Sequence, residues 1–251
     1  MKVQELSKEK MKISMGGVWP KQLPILTDEQ IQIKDEWMEY WHEILPNRYG
    51  IIEKFNHGFP VRVLQKEQKA LTTLEIGPGL GEHIAYENLE NQQYSVIELR
   101  DNMAEILRKR FPTVKTYVGD IQKRTEFDEK QFDRVIAVHV LEHLPDLPNA
   151  LQEIHRVLKD DGHFTAVIPC EGGLAYSFAR CISTDQIFKK KFKMSFAWLV
   201  KTEHINRPVE IIEEITRYFT INKKIFFPLK LPFVFCNLCI GLDMTKKLES
   251  N

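Results

Sequence analysis

A glycine-rich segment is the most chemically distinctive part of this 251-residue chain. Residues 74–81 read Leu-Glu-Ile-Gly-Pro-Gly-Leu-Gly, so an apolar run leads directly into three alternating glycines. Glycine is needed where the backbone takes a positive φ or where a ligand approaches the chain closely. Residues 82–85 are compatible with a helix, and a helix N-terminus favours such a ligand. The segment therefore predicts a cofactor-binding turn between a strand and a helix.

The spacing of the glycines argues against a nicotinamide dinucleotide. A dinucleotide fingerprint has Gly-x-Gly-x-x-Gly, and here the third glycine comes one residue earlier. We also find no Tyr/Lys or similar pair for hydride transfer. An NAD-dependent oxidoreductase is therefore the less favoured alternative.

Two acids stand at the ends of the next two predicted strands. Glu98 ends an apolar run, and a carboxylate there can accept both hydrogen bonds from a ribose diol, although NAD enzymes share this feature. Asp120 follows Gly119 after the next strand. Because ligands of such sheets bind beyond the carboxyl ends of the strands, we expect Gly77, Glu98, Asp120 and His139 to lie at one edge.

Four segments, in this order, resemble the class I methyltransferases that use S-adenosylmethionine (SAM), in particular the type 11 group. They are residues 75–81, 94–98, 118–121 and 132–144, and the continuation over 156–164 also resembles the family. The resemblance covers about residues 70–170. It implies an enzyme with SAM as cofactor and S-adenosylhomocysteine as product.

The resemblance also assigns cofactor-binding residues. It implies that the Glu-x-Gly-x-Gly-x-Gly segment lies along the methionine moiety, and that Asp120 accepts from the adenine amino group while Ile121 packs on the ring. A structural role is the alternative for both acids: Glu75 could position the loop, and Asp120 could cap the helix that follows. The complete predicted cofactor site is Glu75, Gly77, Gly79, Gly81, Glu98, Leu99, Asp120, Ile121 and His139.

Two histidines are the candidate catalytic residues. Methyl transfer to a hydroxyl requires the loss of a proton, and a histidine with a pKa near neutral is a suitable general base. We predict His143 and His204 in this role, with His57 and Tyr49 as weaker alternatives. We see no clustered carboxylates of the kind that a magnesium-dependent enzyme uses, and predict no metal site.

The acceptor is predicted to be a small molecule. The Asp/Asn-Pro-Pro-aromatic motif of amino-group DNA methyltransferases is missing after the fourth strand. Residues 169–242 resemble methyltransferases encoded among bacterial surface-polysaccharide genes, which implies a hydroxyl of a sugar nucleotide or lipid-linked sugar. A quinone or other small-metabolite methyltransferase, and a non-catalytic SAM-binding regulatory protein, stay open as alternatives.

Composition sets further limits. The chain has 35 basic and 35 acidic residues, so no net charge attracts nucleic acid. The charged start lacks an apolar signal core, which predicts a cytoplasmic protein, with a homodimer possible. The only Cys-x-x-Cys lies in residues 233–240, which read as a strand; we therefore interpret the cysteines as buried thiols rather than a zinc site.

From residue 71 onward the pattern alternates between strand and helix. Such alternation predicts an α/β fold: a Rossmann-like seven-stranded methyltransferase sheet with helices on both faces. We expect the first five strands near 71–76, 94–98, 114–118, 134–139 and 163–168. The apolar stretch from residue 225 contains two prolines and Lys230, so it predicts an antiparallel sixth and seventh strand rather than a membrane span.

The remaining segments are assigned around this sheet. Residues 1–60 are predicted as an N-terminal arm and helical cap, and 61–251 as the SAM-binding domain. Thr27 and Gln30 form a predicted capping box, and Asn102 and Asn206 are predicted to cap two later helices. Residues 170–207 are predicted to form an inserted helical segment that walls the substrate pocket, with a basic and aromatic run at 188–193 read as a solvated helix face.

Overall fold

A seven-stranded mixed sheet organises the protein. The computed structural model describes residues 17–48, 50–64 and 71–247. The strands in these ranges follow the order β3-β2-β1-β4-β5-β7-β6. They are β1 (Leu71–Ile76), β2 (Gln92–Glu98), β3 (Lys115–Val118), β4 (Phe132–Val138), β5 (Leu158–Pro169), β6 (Phe219–Phe227) and β7 (Cys239–Lys246).

The strand directions confirm the predicted fold class. Strands β1 to β5 pair in parallel, while β7 is antiparallel to both β5 and β6. The five predicted strand positions and the two antiparallel closing strands are therefore confirmed. Gly77, Glu98, Asp120 and His139 lie at or just beyond the carboxyl ends of the parallel strands β1 to β4.

Helices cover both faces of the sheet. On one face Val135 and Ala137 of β4 join a core cluster with Leu151 and Ile154, and all four are fully buried. The intervening Ile136 joins a second cluster on the opposite face. The helices are α1 (Asp28–Arg48), α2 (Gly50–Val63), α3 (Asp101–Arg110), α4 (Leu147–Val157), α5 (Leu174–Ile182), α6 (Thr184–Phe192), α7 (Ala197–Glu203) and α8 (Pro208–Tyr218).

The capping box predicted for the first helix is present. Gln30 donates its backbone N–H to Thr27 Oγ1 at 3.2 Å, and Thr27 donates its own to Gln30 Oε1 at 3.0 Å. Helix α1 then packs on the inserted segment, where Trp37 makes edge contacts with Phe188 and Phe196. The domain boundary predicted at residue 60 falls inside α2 and stays a prediction, and residues 1–16 of the predicted arm lie outside the described ranges.

The inserted segment is helical, as predicted. It contains α5, α6 and α7, joined by short turns. In α6, Phe188 is fully buried while Lys189 to Lys191 are exposed, in agreement with a solvated helix face.

Three local predictions were wrong. Residues 233–240 are not one strand, because a short 3-10 helix holds Cys236 and β7 begins only at Cys239. Helix α3 begins at Asp101, one residue before the predicted cap Asn102. Helix α8 is capped by Arg207, whose N–H is accepted by Glu210 at 2.8 Å, since Asn206 makes other bonds described below.

Candidate functional site

The glycine-rich turn has the backbone conformation that its sequence requires. Gly77 and Gly79 have φ angles of +59° and +60°, in the left-handed region that disfavours other residues. A Cβ on Gly77 would lie 2.9 Å from Val140 Cγ2. The turn after β1 therefore lies directly against the loop after β4.

The α-helix predicted after this turn is absent. Residues 84–86 form a single turn of 3-10 helix instead. The reason is a buried charge: Arg134 is 2% exposed and its Nη1 lies 2.9 Å from Glu87 Oε1. Glu87 Oε1 is also 2.9 Å from His83 Nε2, so residues 83–87 fold over Arg134 rather than continue as a helix. A ligand at the turn consequently meets no helix N-terminus.

The two predicted acids lie side by side at the carboxyl edge. Gly119 donates its N–H to the backbone oxygen of Glu98 at 3.0 Å. Glu98 Oε1 accepts from Nε and the backbone N of Arg100, both at 3.1 Å, while its buried Oε2 has no hydrogen-bond partner within the described ranges. Asp120 Oδ1 accepts twice from Gln122 at 3.0 Å. Buried carboxylate oxygens rarely stay unpaired, so Glu98 fits a hydroxyl-bearing ligand such as a ribose.

The neighbouring predicted residues differ in exposure. Leu99 is 64% exposed next to Glu98, where an apolar ring can pack on it. Ile121 is buried in the main core cluster.

The Glu75 side chain is hydrogen-bonded inside the protein. Its carboxyl is buried and accepts a hydrogen bond from the Tyr94 hydroxyl at 2.8 Å. Burial raises the pKa of Glu75 to about 8, which the Tyr94 hydrogen bond only partly offsets. The side chain is therefore mainly neutral at pH 7, and its contact with SAM stays a prediction.

The loop after β4 is joined to the segment that follows α7. His143 Nδ1 lies 2.7 Å from the backbone oxygen of Glu203. Ile205 donates its backbone N–H to the oxygen of Glu142 at 3.0 Å. These bonds bring His143 and His204 together although they are far apart in sequence, with their rings 5.2 Å apart.

Asn206 completes this junction. It is fully buried, and its Nδ2 donates to the backbone oxygens of Leu141 and Leu144 at 2.8 Å each. Its backbone N–H is accepted by Glu142 at 3.0 Å. The Asn206 side chain therefore holds the loop after β4 rather than the start of α8.

The hydrogen bonds of the two histidines define where their lone pairs lie. A backbone oxygen accepts only, so neutral His143 carries its proton on Nδ1 and its lone pair on Nε2. His204 Nδ1 lies 2.9 Å from Glu171 Oε2, which likewise places the lone pair of its neutral form on Nε2. Arg180 holds Glu171 in turn, at 2.7 Å. Glu171 and Arg180 gave no recognisable signal in the sequence.

Glu142 is the charged centre of this group. It is fully buried, and burial would raise its pKa, but His139 and His143 outweigh that effect and hold the pKa at about 2. Its Oε1 lies 3.1 Å from His139 Nδ1 and 3.9 Å from His143 Nε2. Glu142 is therefore a carboxylate at neutral pH, and sequence reasoning had given it no role.

The neighbouring histidines are shifted in opposite directions. Partial burial lowers the pKa of His143, which favours the neutral form that a base requires. Burial also acts to lower the pKa of His139, but contacts with Cys239 and Glu142 raise it well above its usual value. His139 has a φ of +54° directly after β4. His57 contacts Glu53 at 3.1 Å, and Tyr49 lies outside the described residues.

The described part of the N-terminal arm lies beside this junction. Lys21 Nζ donates to the backbone oxygen of Ile205 at 2.9 Å and to Glu210 at 2.7 Å. The backbone N–H of Lys21 is accepted by Pro145 at 2.8 Å. The arm therefore supports the segment that carries His204.

Comparison with known proteins agrees with this arrangement. Residues 74–166 match the family model for a methyltransferase domain of type 11. A TehB-like SAM-dependent methyltransferase from Corynebacterium glutamicum superimposes with a TM-score of 0.57 at 16% identity, over 85% of this chain and 98% of that one. The fold is that of a class I methyltransferase. The domain match and the fold both support a SAM-dependent enzyme.

Two further methyltransferases are similar. Geranyl diphosphate C-methyltransferase from Streptomyces coelicolor, solved with Mg²⁺, geranyl-S-thiolodiphosphate and S-adenosylhomocysteine, gives a TM-score of 0.54 at 13% identity, over 76% of this chain and 74% of that one. Demethylmenaquinone methyltransferase from Chlorobaculum tepidum is 27% identical over 124 residues. That alignment spans 49% of this chain and 46% of that protein. None of these three is described as acting on a polysaccharide.

Proposed function

We propose that this protein transfers a methyl group from SAM to a hydroxyl of a small acceptor. A lipid-linked sugar is the first candidate acceptor. The observation that carries the proposal is the shared edge at which the glycine turn, Glu98 and Asp120 lie next to the loop bearing His143. Cofactor-binding and proton-accepting groups are thereby neighbours, as methyl transfer to a hydroxyl requires.

The residues divide the work between binding and proton transfer. SAM, when bound, supplies an electrophilic methyl group on a sulfonium. Gly77 and Gly79 leave room for a ligand at the turn, and Glu98 and Asp120 offer hydrogen-bond acceptors. The lone pair on Nε2 of His143 or His204 can take the proton of an acceptor hydroxyl. Much of the remaining acceleration comes from alignment of the two reactants.

An exposed apolar surface favours an acceptor with a lipid part. Helix α5 presents Leu174, Phe178 and Ile182 on one face, each at least 60% exposed. On its other side Tyr176 lies 6.5 Å from the ring of His204. Helix α5 thus has an exposed apolar face and a face near the histidines, and we propose that the apolar chain of an acceptor covers the exposed face while its hydroxyl reaches past the helix to His204.

A quinone precursor is the second candidate acceptor. The similarity to a demethylmenaquinone methyltransferase favours it. No helix within the described ranges is long and apolar enough to cross a membrane.

The first test is calorimetric titration of the purified protein with SAM, S-adenosylhomocysteine and NAD. We expect the two adenosyl ligands to bind with micromolar dissociation constants and NAD not to bind. Asp120→Ala is expected to weaken SAM binding by roughly tenfold, the effect of about one hydrogen bond to a charged group. Glu126→Ala, at a nearby surface acid, is the matched control. Absence of adenosyl-ligand binding would refute the proposal.

Acceptor identity is tested with labelled SAM. Lipid-linked sugars, sugar nucleotides and demethylated quinone precursors are compared, each with and without its apolar chain. Faster methylation of the lipid-bearing form, reduced by Phe178→Ser, is the expected result. Equal rates with and without the chain would contradict the role given to α5.

A further inference from the structure

Glu142, His143 and His204 form a compact set of metal-ligand side chains. One ring nitrogen of each histidine and one carboxylate oxygen of Glu142 all lie within 4.8 Å of one another. Two imidazoles and one carboxylate are a ligand set for first-row divalent ions such as Zn²⁺. From this geometry we propose that the protein binds a Zn²⁺-type ion at these three residues.

The hydrogen bonds explain why a cation fits there. The Nδ1 atoms of His143 and His204 are held by oxygen acceptors, so both Nε2 lone pairs remain for a ligand. His143 Nε2 lies 3.9 Å from Glu142 Oε1, and no hydrogen bond joins these two atoms. A cation between these atoms would be attracted by both of them.

Glu142 supplies a second, independent observation. Its side chain is 1% exposed, and its Oε2 has no hydrogen-bond partner among the residues that the structure describes. An unpaired buried carboxylate oxygen is costly, and a bound ion would remove that cost. Oε1 already lies 3.1 Å from His139 Nδ1, so an ion would add a partner to a carboxylate that is only half paired.

The surroundings already have the form of a second coordination shell. Metal-binding histidines usually donate their other N–H to a carboxylate or a backbone oxygen, which fixes the ring orientation. Here the Glu171 carboxylate is the acceptor for His204 Nδ1, and the Glu203 backbone oxygen is the acceptor for His143 Nδ1. The two rings are thus oriented before any ion arrives.

The site deepens the proposed function and rests on it for its role. A Zn²⁺-type ion held by three protein ligands keeps open positions, where it can bind the acceptor hydroxyl oxygen and lower its pKa. The hydroxyl O–H bond then breaks and its proton passes to solvent. The oxygen lone pair forms the new O–CH₃ bond as the S–CH₃ pair stays on sulfur. In this scheme the ion held by His143 and His204 takes over the activation of the hydroxyl that the proposed function assigns to their Nε2 lone pairs.

The test is metal binding by the full chain, independent of activity. The chelator-stripped protein is titrated with Zn²⁺ by calorimetry and with Co²⁺ by visible absorption. We expect one ion per chain and a Co²⁺ spectrum without thiolate charge-transfer bands. His204→Ala and His143→Ala should each weaken binding at least tenfold. His163→Ala, which removes a histidine bonded to Asp243 elsewhere, is the matched control and should bind normally.

A second, more conservative variant tests the site in case the alanine variants misfold. Glu171→Gln keeps the size of the side chain that orients His204 and should lower metal affinity by roughly 10-fold to 100-fold. Unchanged affinity in the two alanine variants, thiolate bands, or no saturable binding would overturn the metal site. SAM affinity is measured in parallel with the stripped protein. Loss of SAM binding alone would refute the proposed function, and loss of metal binding alone would refute only this inference.

Discussion

Removal of the Asn206 side chain is expected to destabilise both the fold and the histidine pair. Its Nδ2 is the donor for two backbone oxygens, of Leu141 and Leu144. The backbone N–H of Asn206 still reaches Glu142 in a variant. Asn206→Ala therefore tests the side-chain bonds alone.

The magnitude follows from the two oxygens left behind. Each buried acceptor that loses its partner costs about 1–2 kcal/mol, so Asn206→Ala should lower the free energy of unfolding by about 2–4 kcal/mol. Asn206→Asp has nearly the same shape but turns an oxygen toward the two carbonyls. It should be at least as destabilising at neutral pH, which separates lost hydrogen bonds from lost volume.

Urea unfolding, followed by circular dichroism, measures this change. Asn237→Ala is the matched control, since Asn237 is also fully buried and its Nδ2 donates to the oxygens of Leu231 and Phe233 at 2.9 Å. Both variants should lose stability, but only Asn206→Ala should also impair metal binding at His143 and His204. A loss below about 0.5 kcal/mol for Asn206→Ala would refute the reasoning.

Three further substitutions test other parts of the structure. Gly79→Val should abolish SAM binding, measured by calorimetry, while Gly172→Ala, also at positive φ but with nothing within 4 Å of its Cβ, should bind normally; equal binding by both would contradict the role of the turn. Glu87→Gln leaves buried Arg134 without its carboxylate and should cost about 3–5 kcal/mol in urea unfolding; near wild-type stability would contradict this. The pKa of Glu75 is about 8 in the folded protein and 4.5 in the unfolded chain, so the free energy of unfolding should decrease as the pH rises from 4.5 to 8. Glu75→Gln should flatten that slope of at most about 1.4 kcal/mol per pH unit, and parallel pH profiles would refute the pKa assignment.

The sheet could be predicted because its signals are local. Apolar runs bounded by glycines and charged residues mark buried parallel strands, and the observed β1 coincides with the predicted residues 71–76. The capping box at Thr27 depends on only four residues, and it too was confirmed. Such features need no knowledge of distant parts of the chain.

The missed helix after the glycine turn shows the opposite case. Residues 82–85 have acceptable helix propensity, but Arg134 arrives from β4, far along the chain, and requires Glu87 beside it. Pairing a buried guanidinium outweighs the few tenths of a kcal/mol that helix propensity supplies per residue. No local sequence pattern near residues 82–87 indicates that Glu87 must pair with Arg134.

The site, too, has residues that could be predicted from the sequence and contacts that could not. Local runs showed Glu98, Asp120 and the two histidines, but not how the histidines are held. Asn206 was predicted to cap the following helix, which its position permits. The fold instead brings the loop after β4 to it, and its Nδ2 donates to two backbone carbonyls of that loop.

Two chemistries have been proposed for the histidines at this junction, and the metal titration distinguishes them. A general base needs one lone pair facing the substrate, and either histidine alone would suffice. The structure instead brings two oriented imidazoles to one ionised carboxylate, and fixes them with Glu171, Glu203 and Asn206. Such support serves a coordinated ion, whose affinity depends on the fixed direction of every ligand, and it equally orients a general base. A loss of metal affinity in Asn206→Ala would therefore show that the bonds which stabilise this loop also hold the histidines in position.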